Sequence, residues 1–476
     1  MSVTVRRAAT PAEIDAAGEL TAEAYRADRL VAPDDAYLDE LTDAHRRAGE
    51  AILLVAVLAA SDVAATADDV SGSDDVATPD TGAGSDNAAN PGAAVVSDDA
   101  VTPDAATQDV AAASDDVVVG TITMAPYGTS YAETAEPDEL ELRMLAVAPE
   151  MRGQGIAEQL MRATVREAAL LGHRRIVLST MDAMAAAQRL YARLGWDRVP
   201  ERDWTHEEVQ MRVFTWTAPR GPGPLVEQAT WPPVRTERVD GFVAGFSEGL
   251  TRRANCAVPE RPHASMAELE AGIAQVEAAY RLAGLAPCVR VDDGGLATFL
   301  AGRGYREVTP TLVLVRELAE ELAEDPGAAP GNDRRHAVGA SLTVTSSPDD
   351  AWLDLWLGDD PARTARRETA RAILTGTPAR YLAAHDGDRL LGTIRVATAR
   401  DAHGTVWAGI AGLVVAPEAR RRGLGRRLVA GAIDEARRFG ADRAFVQVQA
   451  GNIASLELHE RLGFTVSSAY RYAELG

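Results

Sequence analysis

Two stretches of this chain repeat one arrangement, and that repetition constrains the fold more than any other feature. "APEMRGQGIAEQ" (148–159) and "APEARRRGLGRR" (416–427) each follow an apolar, strand-like run, "LRMLAV" (142–147) or "IAGLVV" (410–415). Each leads into a helical pattern, over 156–172 or 424–440. Strand, glycine loop and helix N-terminus together make an anion site. The first N–H groups of the helix lack internal partners, the helix dipole is positive there, and glycine lets a phosphate approach the backbone. Arginine adds charge-assisted hydrogen bonds. The spacing repeats too: Gly155 to Gly195 and Gly423 to Gly463 each span 40 positions. A helix, a strand (174–180 or 443–449) and a second helix fill each interval.

A fainter repeat divides the chain. "RLYARLGWDRV" (189–199), "TFLAGRGYREV" (298–308) and "ELHERLGFTV" (457–466) each end a helical pattern with glycine and an aromatic residue. Gly195, Gly304 and Gly463 suit helix C′ positions, and an extended segment follows each. Pro/Gly-rich stretches at 218–225 and 324–335 read as linkers. The predicted organisation is a domain over 1–217, a linker (218–230), a lobe over 231–320, a linker (321–339) and a domain over 340–476. Residues 61–116 are built from Asp, Ala, Ser, Thr, Gly and Val with no arginine or aromatic residue. Such a segment buries too little apolar surface to offset the entropy of ordering, so disorder is expected. Its flanks, "AILLVAVL" (51–58) and "VVVGTITM" (117–124), read as strands of a hairpin interrupted by this acidic insertion.

Composition narrows the function classes. The 71 acidic residues against 48 basic ones give a formal net charge of −23, which disfavours nucleic-acid and anionic-membrane partners. All basic side chains other than histidine are arginine, so Schiff-base and lysine-nucleophile mechanisms are excluded. Two cysteines without a CxxC pattern fit neither a disulfide framework nor a Cys-rich zinc site, and no metal is expected. The start lacks an apolar signal-like core and the longest apolar run is about half the length of a membrane span, so a cytoplasmic location is expected.

The paired motifs resemble those of the GNAT superfamily of acyl-CoA-dependent N-acetyltransferases, whose signature is Arg/Gln-x-x-Gly-x-Gly/Ala after a central strand. "RGQGIA" (Arg152, Gly153, Gln154, Gly155, Ile156, Ala157) and "RRRGLG" (Arg420, Arg421, Arg422, Gly423, Leu424, Gly425), with Arg426 next, match it. "MAAAQRLYARLGW" (184–196) and "NIASLELHERLGF" (452–464) match in part the family's Asn-x-x-Ala-x-x-Leu-Tyr helix. The middle segment has "AVPERPHASMAEL" (257–269) where a phosphate loop belongs, and resembles a degenerate lobe. Segments two and three together resemble tandem actinobacterial acetyltransferases. The resemblance implies an α/β chain with the GNAT fold repeated, a mixed central sheet flanked by helices. It also implies acetyl-CoA as co-substrate, held by the two loops, by backbone of Leu145, Ala146 and Val147 or of Leu413, Val414 and Val415, and by Asn452.

The reaction so implied moves an acetyl group from acetyl-CoA to a primary amine of a small molecule or peptide by direct attack. Such transfer needs a base for the amine and an acid for the departing sulfur. Segment one offers Tyr191 as the acid and Glu139 or Glu141, which share a strand face with Arg143, as the base. Segment three has His459 at the tyrosine position, where an imidazole could protonate the thiolate, and Gly409 at that of Glu141, so binding is expected there and chemistry less so. The middle lobe, with Leu300 at the tyrosine position, is expected to be structural. Two other readings remain open, a bifunctional tandem enzyme with two substrates and an acyl-CoA-binding sensor or scaffold without turnover.

Overall fold

The apolar run at 51–58 becomes a central strand because both faces of the sheet are covered there, and its neighbours follow from that burial. The computed structural model describes residues 3–59, 116–206, 209–261, 265–318 and 340–476, and its described residues divide into a unit ending at Ala218 and a unit from Pro219 to Gly476. The expected disordered insertion lies, apart from Asp116, outside the described residues. Among the described residues no helix is long and apolar enough to cross a membrane.

The first unit runs β1 (Val3–Arg7), α1 (Pro11–Ala27), α2 (Tyr37–Thr42), α3 (Ala44–Glu50), β2 (Ile52–Leu58), β3 (Val117–Pro126) and β4 (Glu139–Val147). It continues α4 (Ile156–Leu170), β5 (Arg175–Met181), α5 (Ala185–Arg193), β6 (Asp197–Arg198), β7 (Trp204–His206) and β8 (Val209–Thr217). The sheet order is β1-β2-β3-β4-β5-β8-β6, with β7 on β8. Strands β2 and β3 form the expected hairpin, from Ile52↔Met124 to Leu58↔Val117. Helix α1 starts on a capping box, Thr10 with Glu13, and Pro11 sits where a missing N–H costs nothing.

Two features of β4 open the sheet. Its parallel pairing with β5 runs from Glu139↔Arg175 to Leu142↔Leu178 and stops, although β4 continues to Val147. On the other side, Thr121 pairs with Ala146 and Thr123 with Arg143, so Met144 and Leu145 oppose one residue. This bulge, with Met144 at φ 55°, turns β4 away from β5.

The second unit runs α6 (Pro224–Thr230), β9 (Arg235–Val239), β10 (Phe242–Phe246), β11 (Ala257–Pro259), α7 (Met266–Leu282), β12 (Cys288–Val291), α8 (Gly294–Gly302) and β13 (Arg306–Glu317). After it come β14 (Ser341–Thr345), α9 (Asp350–Leu357), α10 (Pro361–Thr364), α11 (Arg367–Thr375), β15 (Ala379–Asp386), β16 (Arg389–Arg400) and β17 (Val406–Val415). The chain ends with α12 (Leu424–Arg438), β18 (Arg443–Gln449), α13 (Ile453–Arg461) and β19 (Thr465–Glu474). The parallel pair recurs: β17 pairs with β18 from Trp407↔Arg443 to Gly409↔Phe445 and then parts from it. The bulge recurs as well, with Gly412 at φ 68° where the first unit has Met144. Strands β11 and β12 form a third parallel pair around α7.

Among the described residues the second unit's strands lie in one sheet, ordered β14-β15-β16-β17-β18-β13-β19-β12-β11-β10-β9. The lobes expected at 231–320 and 340–476 therefore exchange their last strands. β13 stands beside β18, and β19 stands beside β12. The expected linker also differs from the structure. Pro224–Thr230 is helical, with Val226, Glu227, Gln228 and Thr230 buried and Glu227 2.5 Å from Arg290. Chain-breaking residues are confined to the approach, where Gly223 at φ 82° leads into Pro224 at the helix start.

Candidate active site

The loop after β4 owes its shape to two glycines in the left-handed region, Gly153 at φ 75° and Gly155 at φ 81°. Gly155 is the N-cap of α4, and no side chain caps that helix, unlike α1, whose first turn Thr10 caps. The α4 amide donors are thus left for another acceptor. In the second unit Gly423, at φ 78°, starts α12 without a side-chain cap, and Arg421 takes the left-handed position of Gly153 at φ 57°.

A cavity of about 700 Å³ opens against the first loop, walled by Leu145, Ala146, Val147, Arg152, Gly153, Gly155, Ile156 and Ala157. Gln154 is on the same loop, its Nε2 3.7 Å from Met151 Sδ. Arg152 is paired with Asp28 at 2.6 Å. Sequence reasoning missed the opposite wall, Tyr25, Asp28 and Leu30 at the end of α1, whereas residues 184–187, which also line the cavity, belong to the motif helix it singled out. Tyr25, Asp28 and Leu30 come from a distant segment with no pattern of its own.

Two smaller cavities adjoin the large one and share wall residues with it. The first, about 40 Å³, lies where β4 and β5 part and is walled by Leu142, Met144, Leu145, Ser179 and Tyr191. The next, about 80 Å³, lies on the far side and is walled by Glu141, Glu133, Arg143, Tyr37 and Trp204. Tyr25 and Met184 border all three. The strand divergence thus forms a narrow throat with a glycine-loop cavity on one side and a carboxylate-bearing one on the other.

The titratable groups at the throat differ sharply. Tyr191 is 5% exposed and packs against Trp196 and Phe214, and burial raises its phenol above the ordinary range, so it stays protonated. Glu141 is 1% exposed, and its Oε2 accepts the Thr134 and Ala135 N–H groups at 2.7 and 3.0 Å. Burial pushes its carboxyl up, against the pull of those two bonds, and the net shift is upward. Glu139 is tied differently. It lies 2.8 Å from Arg175 and 2.9 Å from Arg202. Burial works against its ionisation, yet Arg202 and the Glu136 N–H hold its carboxyl below the ordinary range.

In the second unit the corresponding residues are arranged otherwise. His459 is buried, its Nδ1–H donates to the Ser455 carbonyl at 2.7 Å, and burial lowers its pKa to about 4. It therefore stays neutral near pH 7. Beside it is a cavity of about 30 Å³ walled by Gly412, Leu413, Gln447 and His459. A Cβ on Gly409 would stand 2.5 Å from Thr230 Oγ1, so α6 fills the space that Glu141 occupies in the first unit. Arg395 Nη1 fixes that helix by donating to the Thr230 carbonyl at 2.7 Å. Asn452 caps α13, accepting from Ser455 N at 3.1 Å. Val414 and Val415 end β17, and Val415 O accepts from Arg420 Nε at 3.1 Å. Arg422 and Arg426 are exposed, Leu424 is buried, and Gly425 lies on the first turn of α12 with Leu458 3.5 Å from where its Cβ would be.

Two family models match the chain. The one described as probable histone acetyltransferase Rv0428c, C-terminal, matches residues 226–473, and the acetyltransferase (GNAT) family matches residues 91–196. An uncharacterized N-acetyltransferase of Bacillus subtilis (strain 168), YobR, is 24% identical over 253 residues, 51% of this chain and 94% of its own length. N-acetyltransferase 8B of Homo sapiens is 36% identical over 87 residues, 18% of this chain and 37% of its own length. Among solved structures, a tandem GNAT protein from the clavulanic acid biosynthesis pathway aligns over 100% of this chain and 99% of its own, at 14% identity and a TM-score of 0.30.

Proposed function

The chain belongs to the family described as probable histone acetyltransferase Rv0428c, C-terminal, and carries a GNAT acetyltransferase domain besides; from that premise we propose that its first unit acetylates a primary amine of a small molecule or peptide. It is an N-acetyltransferase, and acetyl-CoA is the donor that its family implies. The observation that carries the finer reading is the throat past Tyr191, with the glycine loop at one end and Glu141 at the other.

The residues present fit the donor. Gly153 and Gly155 keep the loop backbone open, and the uncapped α4 N-terminus offers amide donors to a pyrophosphate. Acetyl-CoA when bound supplies an acyl thioester, a carbonyl activated toward an amine. Glu141, held by two backbone N–H groups and raised by burial, takes the ammonium proton at its carboxylate. Tyr191 holds a proton on its hydroxyl at the throat, where the departing sulfur needs one. Glu139, locked between two arginines, serves the sheet and not the proton transfer. In the second unit we assign the loop at 420–426 to acyl-CoA binding without turnover, because Thr230 takes the place of a base beside Gly409 and His459 is a neutral, buried side chain.

Tyr191→Phe is expected to lower kcat about 10²-fold or more, the usual contribution of a general acid, with the Kd of acetyl-CoA unchanged. An unchanged kcat would remove Tyr191 from the reaction. Calorimetry on the whole chain is expected to count two acetyl-CoA equivalents. Gly155→Glu or Gly423→Glu should each remove one, since each puts a charged side chain on a left-handed backbone at the loop. Full stoichiometry in either variant would clear that loop of a binding role.

A further inference from the structure

We propose, resting on the acetyl-transfer reading above, that the cavity beside Glu141 takes an amine carrying a second positive charge, a primary diamine on an alkyl stem. Charge is the first argument. Glu141 and Glu133 wall the cavity with Arg143, and Glu40 lies 3.9 Å from the same guanidinium. Buried Arg47, whose Nη1 lies 2.8 Å from Met144 Sδ, is the other cation beside these three carboxylates, so the surroundings keep a net negative charge and favour a cationic acceptor over an anionic one.

Among the residues that wall the cavity, Arg143 is the one group that could favour the opposite choice, an acceptor with a carboxylate. Its donors are already engaged. It lies 2.7 Å from Glu133, and donates to the Tyr131 carbonyl at 3.4 Å and the Tyr37 hydroxyl at 3.5 Å. A substrate carboxylate would have to displace Glu133 and sit among the remaining acids. The carboxylates differ in access in a way that suits a two-headed ligand. Glu141 is fully buried at the inner end, where its Oε1 has no hydrogen-bond partner among the described residues. The Glu133 and Glu40 side chains are 43% and 39% exposed at the outer end. Between the ends lie Met144, Met181, Met211 and the Trp204 ring, soft apolar surfaces that suit a methylene stem.

The test compares 1,5-diaminopentane, pentylamine and 5-aminopentanoate as acceptors for the full chain, following thiol release from acetyl-CoA. The expected kcat/KM order is diamine, monoamine, amino acid, with the diamine about tenfold above the monoamine at low salt and less at high salt, as for partly exposed ion pairs. Glu133→Gln should bring the diamine-to-monoamine ratio close to one. Preference for 5-aminopentanoate, or a ratio indifferent to both salt and Glu133→Gln, overturns the proposal and leaves acetyl transfer standing. If no amine releases thiol, the acetyl-transfer reading falls, and calorimetry of 1,5-diaminopentane and pentylamine decides the subsite. Tighter diamine binding that Glu133→Gln abolishes supports it, and equal affinities overturn it.

Discussion

Glu141→Gln is expected to lower kcat about 10²–10⁴-fold while the Kd of acetyl-CoA stays within about twofold, because the change removes a proton acceptor and little else. Glutamine keeps the side-chain shape, and its amide oxygen can still accept the Thr134 and Ala135 N–H groups. The pH profile carries the same assignment. Burial raises the Glu141 carboxyl, and the base works ionised, so activity falls as pH drops through a value above the ordinary carboxylate range. That acidic limb should vanish from the residual activity of the variant. The stability sign runs the other way. A carboxyl raised in the folded state contributes stability that is fully present below its unfolded pKa and lost as pH rises through the folded one. Glu141→Gln is therefore expected to leave Tm at neutral pH unchanged or higher. A kcat within threefold of the parent would mean that Glu141 is not the base.

A fragment of residues 340–476 is expected not to fold, whereas 219–476 unfolds cooperatively in urea. The repeat of motifs invites a cut near 335, but the structure places β13, from before that cut, between β18 and β19. Its residues Thr311 to Glu317 pair with β18, and Leu312, Val313 and Leu314 are fully buried. Losing β13 would expose two strand edges and the apolar rows on either side of it. Adding 219–339 in trans should restore the cooperative transition, which circular dichroism against urea would show. A cooperative transition for 340–476 alone would mean that the exchanged strands are dispensable.

Much of the architecture was legible because it depends on local rules. The glycine spacing marked strand, loop and helix, since the left-handed backbone at Gly153, Gly155 and Gly423 favours glycine. The apolar runs at 51–58 and 117–124 marked a hairpin despite the residues between them, because each strand announces its own burial. The walls of the large cavity contributed by Tyr25, Asp28 and Leu30 were not legible, since no periodicity links them to the loop they face. Helix α6 was hidden for another reason. A Pro/Gly approach reads as a linker whatever follows it, and the burial of Glu227 and Thr230 depends on partners as distant as Arg290 and Arg395.

The sequence by itself determined that two glycine loops open helices after a strand, and that Glu139 and Glu141 share one face of the same strand. It could not rank those two carboxylates, because alternation along β4 treats them alike. Only the tertiary structure separates them, by bringing Arg175 and Arg202 onto Glu139 and leaving Glu141 between two backbone N–H groups and a cavity. Tyr191 and His459 share a motif position and are both buried, and that burial keeps the phenol protonated and the imidazole neutral. Backbone conformation follows from nearby residues, whereas the charge state of a buried group is set by whichever distant segments pack against it.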